Sequence, residues 1–507
     1  MTTVPDKSEL TSLRAKLFYG SGSIAFGVKD FGFGSLLLFY YNQVIGLPVR
    51  EVSLAIFLVL FFDAFADPVV GQISDNLRTR WGRRHPLMYA SAIPVAVSYY
   101  FLWVPPHWSH EALFYYLIAV AILVRTFITM YEIPSSAMVP EMTADYNERT
   151  KFLSYRYFFG VMAAVLMSFF TYRFLLYPDA MHKIAQLNPA GYPRFALASA
   201  IVMVASILIT SRGTQRYVPY FRVPQERRVT LLDTLREMGA SLANAQFVAL
   251  LIAAIFGTVA IGLAAALLIY FNTYFWGLST KQISLFAFTG IGSAFIAPFF
   301  APALSGVLGK KNAALLFYFT CVAVMVSPIA LRLIGFFPAN GSPFLFGVLF
   351  AERTISGILG ISCLILFGSM MADVVEDSAL KTGRRSEGLF FSSMSFISKA
   401  LSGAGTFLAG QLLGLVHFPE HANPATLDPA VPHNLALLYV PALVLFYGTG
   451  IVVLSRYRIS KTQHEENVRR LNEALVTASP DTPAVELAAR NVTDNVIIPA
   501  TATGPAE

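Results

Sequence analysis

The sequence predicts an all-α membrane protein with twelve transmembrane helices in two six-helix halves. Hydrophobic residues make up 55% of the 507 residues and charged residues only 13%, whereas about 25% of residues are charged in an average soluble domain. Apolar runs of about 20 residues, the length that crosses a bilayer, recur twelve times between polar connections. The net charge of +7 does not indicate nucleic-acid binding, because the basic residues collect in connections like those on the cytoplasmic side of membrane proteins.

The apolar runs divide six and six around one polar segment. We assign 1–212 to an N-terminal half, 213–244 to a cytoplasmic linker, 245–457 to a C-terminal half and 458–507 to a polar cytoplasmic tail. The predicted spans, in chain order, are 16–45, 51–76, 86–105, 111–139, 150–175, 193–211, 246–276, 282–308, 312–336, 342–373, 386–415 and 434–456.

A sequence repeat indicates that the two halves are related. Leu-Leu-Phe-Tyr-Tyr-Asn at 37–42, followed by Gly46, recurs as Leu-Leu-Ile-Tyr-Phe-Asn at 267–272, followed by Gly277. The seventh span therefore looks like a second copy of the first. Parallel six-helix repeats related by an axis along the membrane normal are typical of transporters.

Basic clusters follow the even-numbered spans. They include Arg78, Arg80, Arg83 and Arg84 after the second span, Lys310 and Lys311 after the eighth, and Lys381, Arg384 and Arg385 after the tenth. The connections on the other side carry few basic residues. Because basic loops stay in the cytoplasm, we expect both termini on the cytoplasmic side of a plasma membrane.

Two acids lie in the second span, where the neighbouring residues are almost all apolar. Asp63 and Asp67 are four residues apart, so they share one face of a helix. Each costs about 2.5–3.5 kcal/mol at the centre of a bilayer. A bound cation is the simplest partner that offsets this cost, and we predict a Na⁺ site at these two carboxylates.

The fourth span can complete that site. Thr129 and Glu132 are three residues apart and would supply further oxygen ligands, which hard cations prefer. Two alternatives stay open. A proton can replace Na⁺, since clustered carboxylates raise one another's pKa, or the paired acids can form structural salt bridges with Arg125 or Lys399.

Four charged residues are candidates for contact with a polar substrate. They are Lys29 and Asp30 in the first span, Glu132 in the fourth and Arg156 in the fifth. The guanidinium of Arg156 suits carboxylates or sugar hydroxyls. Each of the four can instead be a buried charge satisfied by a structural partner.

Four other charged residues are candidates for coupling and gating. Lys399 in the eleventh span can balance the carboxylates when the cation leaves, and Arg125 in the fourth span is a second basic candidate. Asp373 and Asp377 close the tenth span beside a basic loop. We expect them to form gating salt bridges there.

Four sequence blocks resemble the glycoside–pentoside–hexuronide:cation symporters of the major facilitator superfamily. The blocks are Gly27–Phe31, then Phe62–Pro68 with 78–86, then Glu132–Pro134 with 139–140, and Ala372–Glu376 continuing through Arg385 and Glu387 to Lys399. The resemblance covers the membrane region and implies the major facilitator fold in a bacterial inner membrane. It also implies Na⁺-, Li⁺- or H⁺-coupled sugar uptake by alternating access.

The resemblance further assigns roles to single residues. It implies that Asp63 and Asp67 serve the cation with help from Thr129, and that Lys399 serves coupling. It implies that Lys29, Asp30, Glu132 and Arg156 serve the sugar. Two positions depart from the family's melibiose carrier, because Glu132 replaces its Asp and Ser136 stands where that carrier has a sugar-contacting Trp. A galactoside is therefore not implied.

Two other readings of the sequence remain. Sodium-dependent lysophosphatidylcholine symporters resemble the same family and keep the paired acids, so a lysophospholipid is the alternative cargo. A membrane-embedded enzyme would need a nucleophile–base pair or a set of metal ligands, and we assign no catalytic residue. The expected partners are a small-molecule substrate, a monovalent cation and membrane lipid, with no cofactor beyond the coupling ion, no nucleic acid and a monomeric chain.

Overall fold

The computed structural model describes residues 10–143, 145–221, 239, 242–382, 387–459, 462–464, 466–467 and 469–470. Twelve long helices account for most of these residues. They are α1 (Leu13–Val44), α2 (Val49–Asn76), α3 (His85–Leu102), α4 (His110–Met142), α5 (Asn147–Leu175), α6 (Tyr192–Gln215), α7 (Ala245–Phe275), α8 (Thr280–Leu308), α9 (Lys310–Leu333), α10 (Pro343–Thr382), α11 (Glu387–Leu415) and α12 (Ala430–Leu454).

The predicted all-α membrane fold is confirmed. Within the described part of the chain, ten helices, all but α3 and α11, are long and apolar enough to cross a membrane. The helices correspond one to one to the twelve predicted spans. One boundary was wrong, since α10 continues to Thr382 beyond the predicted end at 373. Asp373 and Asp377 therefore lie inside a helix rather than at its end.

The internal repeat appears in the backbone. Both copies end in a π-helical turn, Tyr40–Val44 in α1 and Phe271–Phe275 in α7. Each turn is followed by a glycine with positive φ, +86° at Gly46 and +60° at Gly277, a conformation that costs glycine little. The sequence repeat thus encodes the same helix terminus twice, once in each half.

The two halves, α1–α6 and α7–α12, meet along α2 and α11, α1 and α7, and α5 and α8. Glycines of α11 permit the close approach to α2. A Cβ on Gly403 would lie 2.9 Å from the Phe57 Cα atom, and one on Gly410 would lie 2.0 Å from the Ser53 Oγ atom. Small residues at such contacts are typical of packed membrane helices.

The bundle has two unlike ends. We call the end that carries 77–84, Thr143, Asp145 and Gly309 the basic end, and the end that carries 45–48, 176–191, 276–279 and 416–429 the opposite end. Helices α5 and α8 touch towards the opposite end, where the rings of Phe169 and Phe288 are 5.4 Å apart.

Parts of the predicted linker and tail lie outside the described residues. These include 222–238, with Arg222, Arg227, Arg228 and Arg236, and 471–507. Within the predicted tail, 462–464, 466–467 and 469–470 are helical.

Candidate cation and substrate site

Asp63 and Asp67 face the interior of the bundle from one side of α2. They are one helical turn apart, and α2 continues unbroken through Pro68. The Asp63 side chain is only 1% exposed, whereas that of Asp67 is 20% exposed. The two acids therefore share a face, as the spacing predicts, but differ in their access to solvent.

Each acid has its own basic partner. The Arg125 guanidinium of α4 donates a hydrogen bond through Nη2 to Asp63 Oδ2. The Lys399 ammonium of α11 lies 2.5 Å from Asp67 Oδ2 and 3.7 Å from Asp63 Oδ2. The salt bridges that the sequence left open as an alternative are thus both formed in this conformation.

Thr129 joins the two acids from α4. Its hydroxyl Oγ1 lies 3.2 Å from Asp63 Oδ1 and 3.4 Å from Asp67 Oδ1. We call Asp63, Asp67, Arg125, Thr129 and Lys399 the charge cluster. Its oxygens can hold one monovalent cation if a basic partner withdraws, since carboxylate and hydroxyl oxygens are hard ligands.

Glu132 stands apart from this cluster. Its half-buried carboxylate forms no hydrogen bond with the residues that the structure describes, although it interacts electrostatically with Lys29, Lys399, Arg156 and Arg125. Its predicted role as a direct ligand of the cation stays a prediction. Its surroundings, which are mostly cationic, suit a negatively charged hydrogen-bond acceptor for a polar substrate.

The other predicted substrate residues line the N-terminal half. Lys29 Nζ pairs with Asp30 Oδ1 at 2.8 Å, and the Asp30 side chain is 63% exposed in the middle of an otherwise buried helix. Arg156 Nη1 donates to Tyr19 OH and Ser135 Oγ, both at 3.2 Å. A charged side chain this exposed at mid-helix indicates a polar cavity within the bundle.

The predicted gating acids lie towards the basic end of α10. The Asp373 side chain is 4% exposed, and its Oδ1 atom lies 2.6 Å from Lys310 Nζ and 3.2 Å from His464 Nδ1 of the tail. Asp377 is also buried. Burial, and after it the charge of Asp373, raises the pKa of the Tyr457 hydroxyl.

These contacts all lie within the C-terminal half and its tail, so they anchor α10 to α9 and the tail. A gating role for Asp373 and Asp377 stays a prediction. Arg385 and the side chain of Glu387, which belong to the same sequence block, lie outside the described residues.

The opposite end holds a polar network that the sequence did not predict. Gln43 Oε1 accepts hydrogen bonds from Tyr274 OH at 2.8 Å and Ala422 N at 3.0 Å, and Gln43 Nε2 donates to the Pro419 carbonyl oxygen at 3.0 Å. Tyr270 OH donates to Asn42 Oδ1 at 2.9 Å. These bonds join the N-terminal half to the C-terminal half.

A second glutamine extends this network. Gln186 Nε2 donates to Thr273 Oγ1 at 2.9 Å, and Thr280 Oγ1 donates to Gln186 Oε1 at 2.7 Å. We call Asn42, Gln43, Gln186, Tyr270, Thr273, Tyr274 and Thr280 the amide lock. The only sequence signal for it was the repeat, which contains Asn42 and Tyr270 but does not show that they meet.

Comparisons with known proteins agree with the fold. Residues 18–461 match the family described as MFS/sugar transport protein. An uncharacterised symporter of Synechocystis is 25% identical over 90% of this chain and 97% of its own. The isoprimeverose transporter of Lactiplantibacillus pentosus is 24% identical over 84% of this chain and 85% of its own.

A mammalian symporter and a solved structure are also similar to this chain. The sodium-dependent lysophosphatidylcholine symporter 1 of Mus musculus is 23% identical over 96% of this chain and 93% of its own. The crystal structure of a D-xylose–proton symporter superposes with a TM-score of 0.57 at 15% identity, covering 88% of this chain and 97% of that one. The latter similarity concerns the fold alone.

Proposed function

We propose, from the premise that this chain belongs to the MFS/sugar transport protein family, that it couples the uptake of a sugar or glycoside to a monovalent cation. It is a multi-pass membrane transporter and not an enzyme. Na⁺, Li⁺ and H⁺ are the candidate coupling ions, and no other cofactor is required.

The observation that carries the proposal is the ion pair between Asp67 and Lys399. Asp67 lies on α2 of the N-terminal half and Lys399 on α11 of the C-terminal half, 2.5 Å apart. A pair that spans two moving halves is made in one conformation and broken in another. Once Lys399 withdraws, a cation at the acids offsets the cost of exposing an unpaired carboxylate to an apolar surrounding.

The amide lock and the basic clusters suggest which conformation the structure has. We infer that the basic end faces the cytoplasm, because basic loops stay on that side, and that both termini lie there. The lock then closes the outer side. The conformation that we infer is inward-facing, with the Lys399 ammonium on Asp67.

The cargo follows from the polar residues beside the cluster. Asp30, Glu132 and Arg156 offer acceptors and donors suited to sugar hydroxyls, and a relative is named as an isoprimeverose transporter. A lysophospholipid is the second candidate, favoured by the similarity to the lysophosphatidylcholine symporter. We favour a sugar over a lysophospholipid because the family that matches residues 18–461 is described as MFS/sugar transport protein.

Thermal unfolding of the purified protein tests the proposal. Sugars and lysolipids are each added with NaCl, LiCl or choline chloride, at several pH values. A ligand that binds only the folded state, present at a concentration of about 100 times its Kd, raises the free energy of unfolding by about 2.7 kcal/mol. We expect a sugar whose effect grows with one cation, and uphill accumulation of that sugar in proteoliposomes that carry a gradient of the cation.

Asp67→Asn is the matched variant. It should bind and exchange the sugar but lose cation-driven accumulation, whereas Glu420→Gln, an exposed acid at the opposite end, should accumulate it like the wild type. A shift with lysolipids alone would favour the second candidate. Uphill accumulation by Asp67→Asn at wild-type expression would contradict the proposal.

A further inference from the structure

Three cations and four carboxylates occupy the middle of the N-terminal half. The cations are Lys29, Arg125 and Arg156, and the carboxylates are Asp30, Asp63, Asp67 and Glu132. With all of them ionised, this half carries one negative charge in excess. Lys399 of the other half supplies the matching positive charge in the observed conformation.

The two ion pairs of the charge cluster differ in where their partners come from. Arg125 and Asp63 both belong to the N-terminal half, on α4 and α2, which pack against each other. The Arg125 guanidinium also lies over the ring of Phe33 of α1, 5.7 Å from its centroid. Motion of one half against the other therefore does not separate Arg125 from Asp63.

The two ion pairs also differ in how much of their side chains is exposed to solvent. The side chains of Asp63 and Arg125 are 1% and 8% exposed, whereas those of Asp67 and Lys399 are 20% and 27% exposed. An arginine keeps its proton at any physiological pH, and breaking a buried pair is strongly unfavourable because it leaves an uncompensated charge. An ion entering from the cavity thus reaches Asp67 far more readily than Asp63.

We propose that Arg125 is a permanent internal cation of the site, so that a single coupling ion per cycle is exchanged at Asp67 against Lys399. Asp63 then acts as a positioning residue, which holds Arg125 and orients the Thr129 hydroxyl between the acids. This inference rests on the proposed function and narrows it.

Charge-compensated double variants test this assignment, with cation titrations of thermal unfolding as the readout. We expect Asp63→Asn to weaken the response to the coupling cation at least about tenfold, which is about 1.4 kcal/mol, because it leaves Arg125 to repel the ion. Arg125→Gln should change the response in the opposite direction, because it leaves a second, unpaired acid that attracts the ion. Combining the two changes should restore the response to within about threefold.

The second pair provides the matched control. Asp67→Asn/Lys399→Gln is equally neutral overall, but it removes the exchanged carboxylate, so no cation response should remain. Arg125→Lys, which keeps the charge, should resemble the wild type more closely than Arg125→Gln does. The single variants risk poor folding because each leaves a buried charge unpaired. The double variants remove both charges of a pair, so no buried charge is left without its partner.

The opposite result is equally clear. If Asp63 is itself an exchanged ligand, Asp63→Asn/Arg125→Gln will respond to cations no better than Asp63→Asn, which would overturn the assignment of Arg125. A wild type that responds to cations but accumulates no sugar would refute symport instead. The two failures are distinguishable because the titration needs no sugar.

Discussion

Two polar contacts between the halves use different chemistry. Within α2 and α11 the contact is ionic, between Asp67 and Lys399. At the opposite end it is uncharged, built from amides and hydroxyls such as Gln43 and Tyr274. Both sets are largely buried, so their polar groups need partners in the closed conformation.

The difference indicates separate tasks for the two contacts. An ionic pair can be replaced by a bound cation, because the charge that leaves with Lys399 must be supplied again. A neutral amide has no such dependence, so the amide lock should contribute the same free energy to the conformational balance whether or not a cation is bound. On this view the charge cluster supplies coupling, and the lock sets the balance between conformations.

Gln43→Ala should have the largest effect on the lock. Four hydrogen bonds end at this side chain, and each buried group left unsatisfied costs about 1–3 kcal/mol. We expect the population open at the opposite end to rise about 10- to 100-fold. Distances between spin labels attached at Asp179→Cys and Glu420→Cys, one in each half, would measure this open population. Cys321 and Cys363 would first be replaced, so that only the two introduced cysteines are labelled.

Asn423→Ala is the control for that experiment. Asn423 is an exposed amide at the same end, and its Oδ1 atom accepts from Ala425 N within its own connection. Its loss should leave the label distances as in the wild type. An equal shift in both variants would mean that loop disturbance, rather than the lock, is being measured.

Gly410→Ala should have an intermediate effect. The added Cβ would meet Ser53 Oγ at 2.0 Å and the Val49 carbonyl oxygen at 3.0 Å, so α2 and α11 would be pushed apart near the lock. Overpacking costs roughly 1–3 kcal/mol, and rotation of Ser53 relieves part of it. We expect the same label distances to show an open population about tenfold larger than in the wild type. That increase is at the lower end of the range expected for Gln43→Ala.

Gly448→Ala is the matched glycine, because a Cβ there meets nothing within 4 Å. It should leave the conformational balance as in the wild type. If Gly410→Ala behaves like Gly448→Ala, the contact of α2 with α11 does not limit opening at this end.

Sequence patterns predicted the helices and most of the charge cluster. Runs of apolar residues have only one stable solution in a bilayer, since every backbone group must be satisfied within the span. The four-residue spacing put Asp63 and Asp67 on one face because α2 stays helical through Pro68. The three-residue spacing likewise gave Thr129 its place beside both acids once α4 packed against α2.

The pairings between helices were not predictable in the same way. No local rule says that Arg125 takes Asp63 while Lys399 takes Asp67, because helix rotation and the positions of the two halves decide it. The amide lock was missed for a related reason. Gln43, Tyr274 and Pro419 are polar or neutral residues far apart in sequence, and nothing in an apolar run marks them as partners.

Tyr274→Phe should have the smallest effect and is the sharpest test of the comparison. It removes one hydroxyl, which donates to Gln43 Oε1 at 2.8 Å and lies 3.1 Å from the Ala422 carbonyl oxygen, while the ring stays packed on Phe418. A buried hydrogen bond contributes about 0.5–1.5 kcal/mol, so the open population should rise about threefold. Tyr115→Phe, on the exposed surface of α4, is the control.

The decisive measurement is the Tyr274→Phe shift with and without the coupling cation. Changes at separate sites with no shared partners add, so an uncharged lock that is independent of the charge cluster should give the same free-energy difference in both conditions. A difference that changes with cation would mean that the two contacts share one network. In that case the amide lock would take part in coupling, and the ionic and neutral contacts would not have the separate tasks that their chemistry indicates.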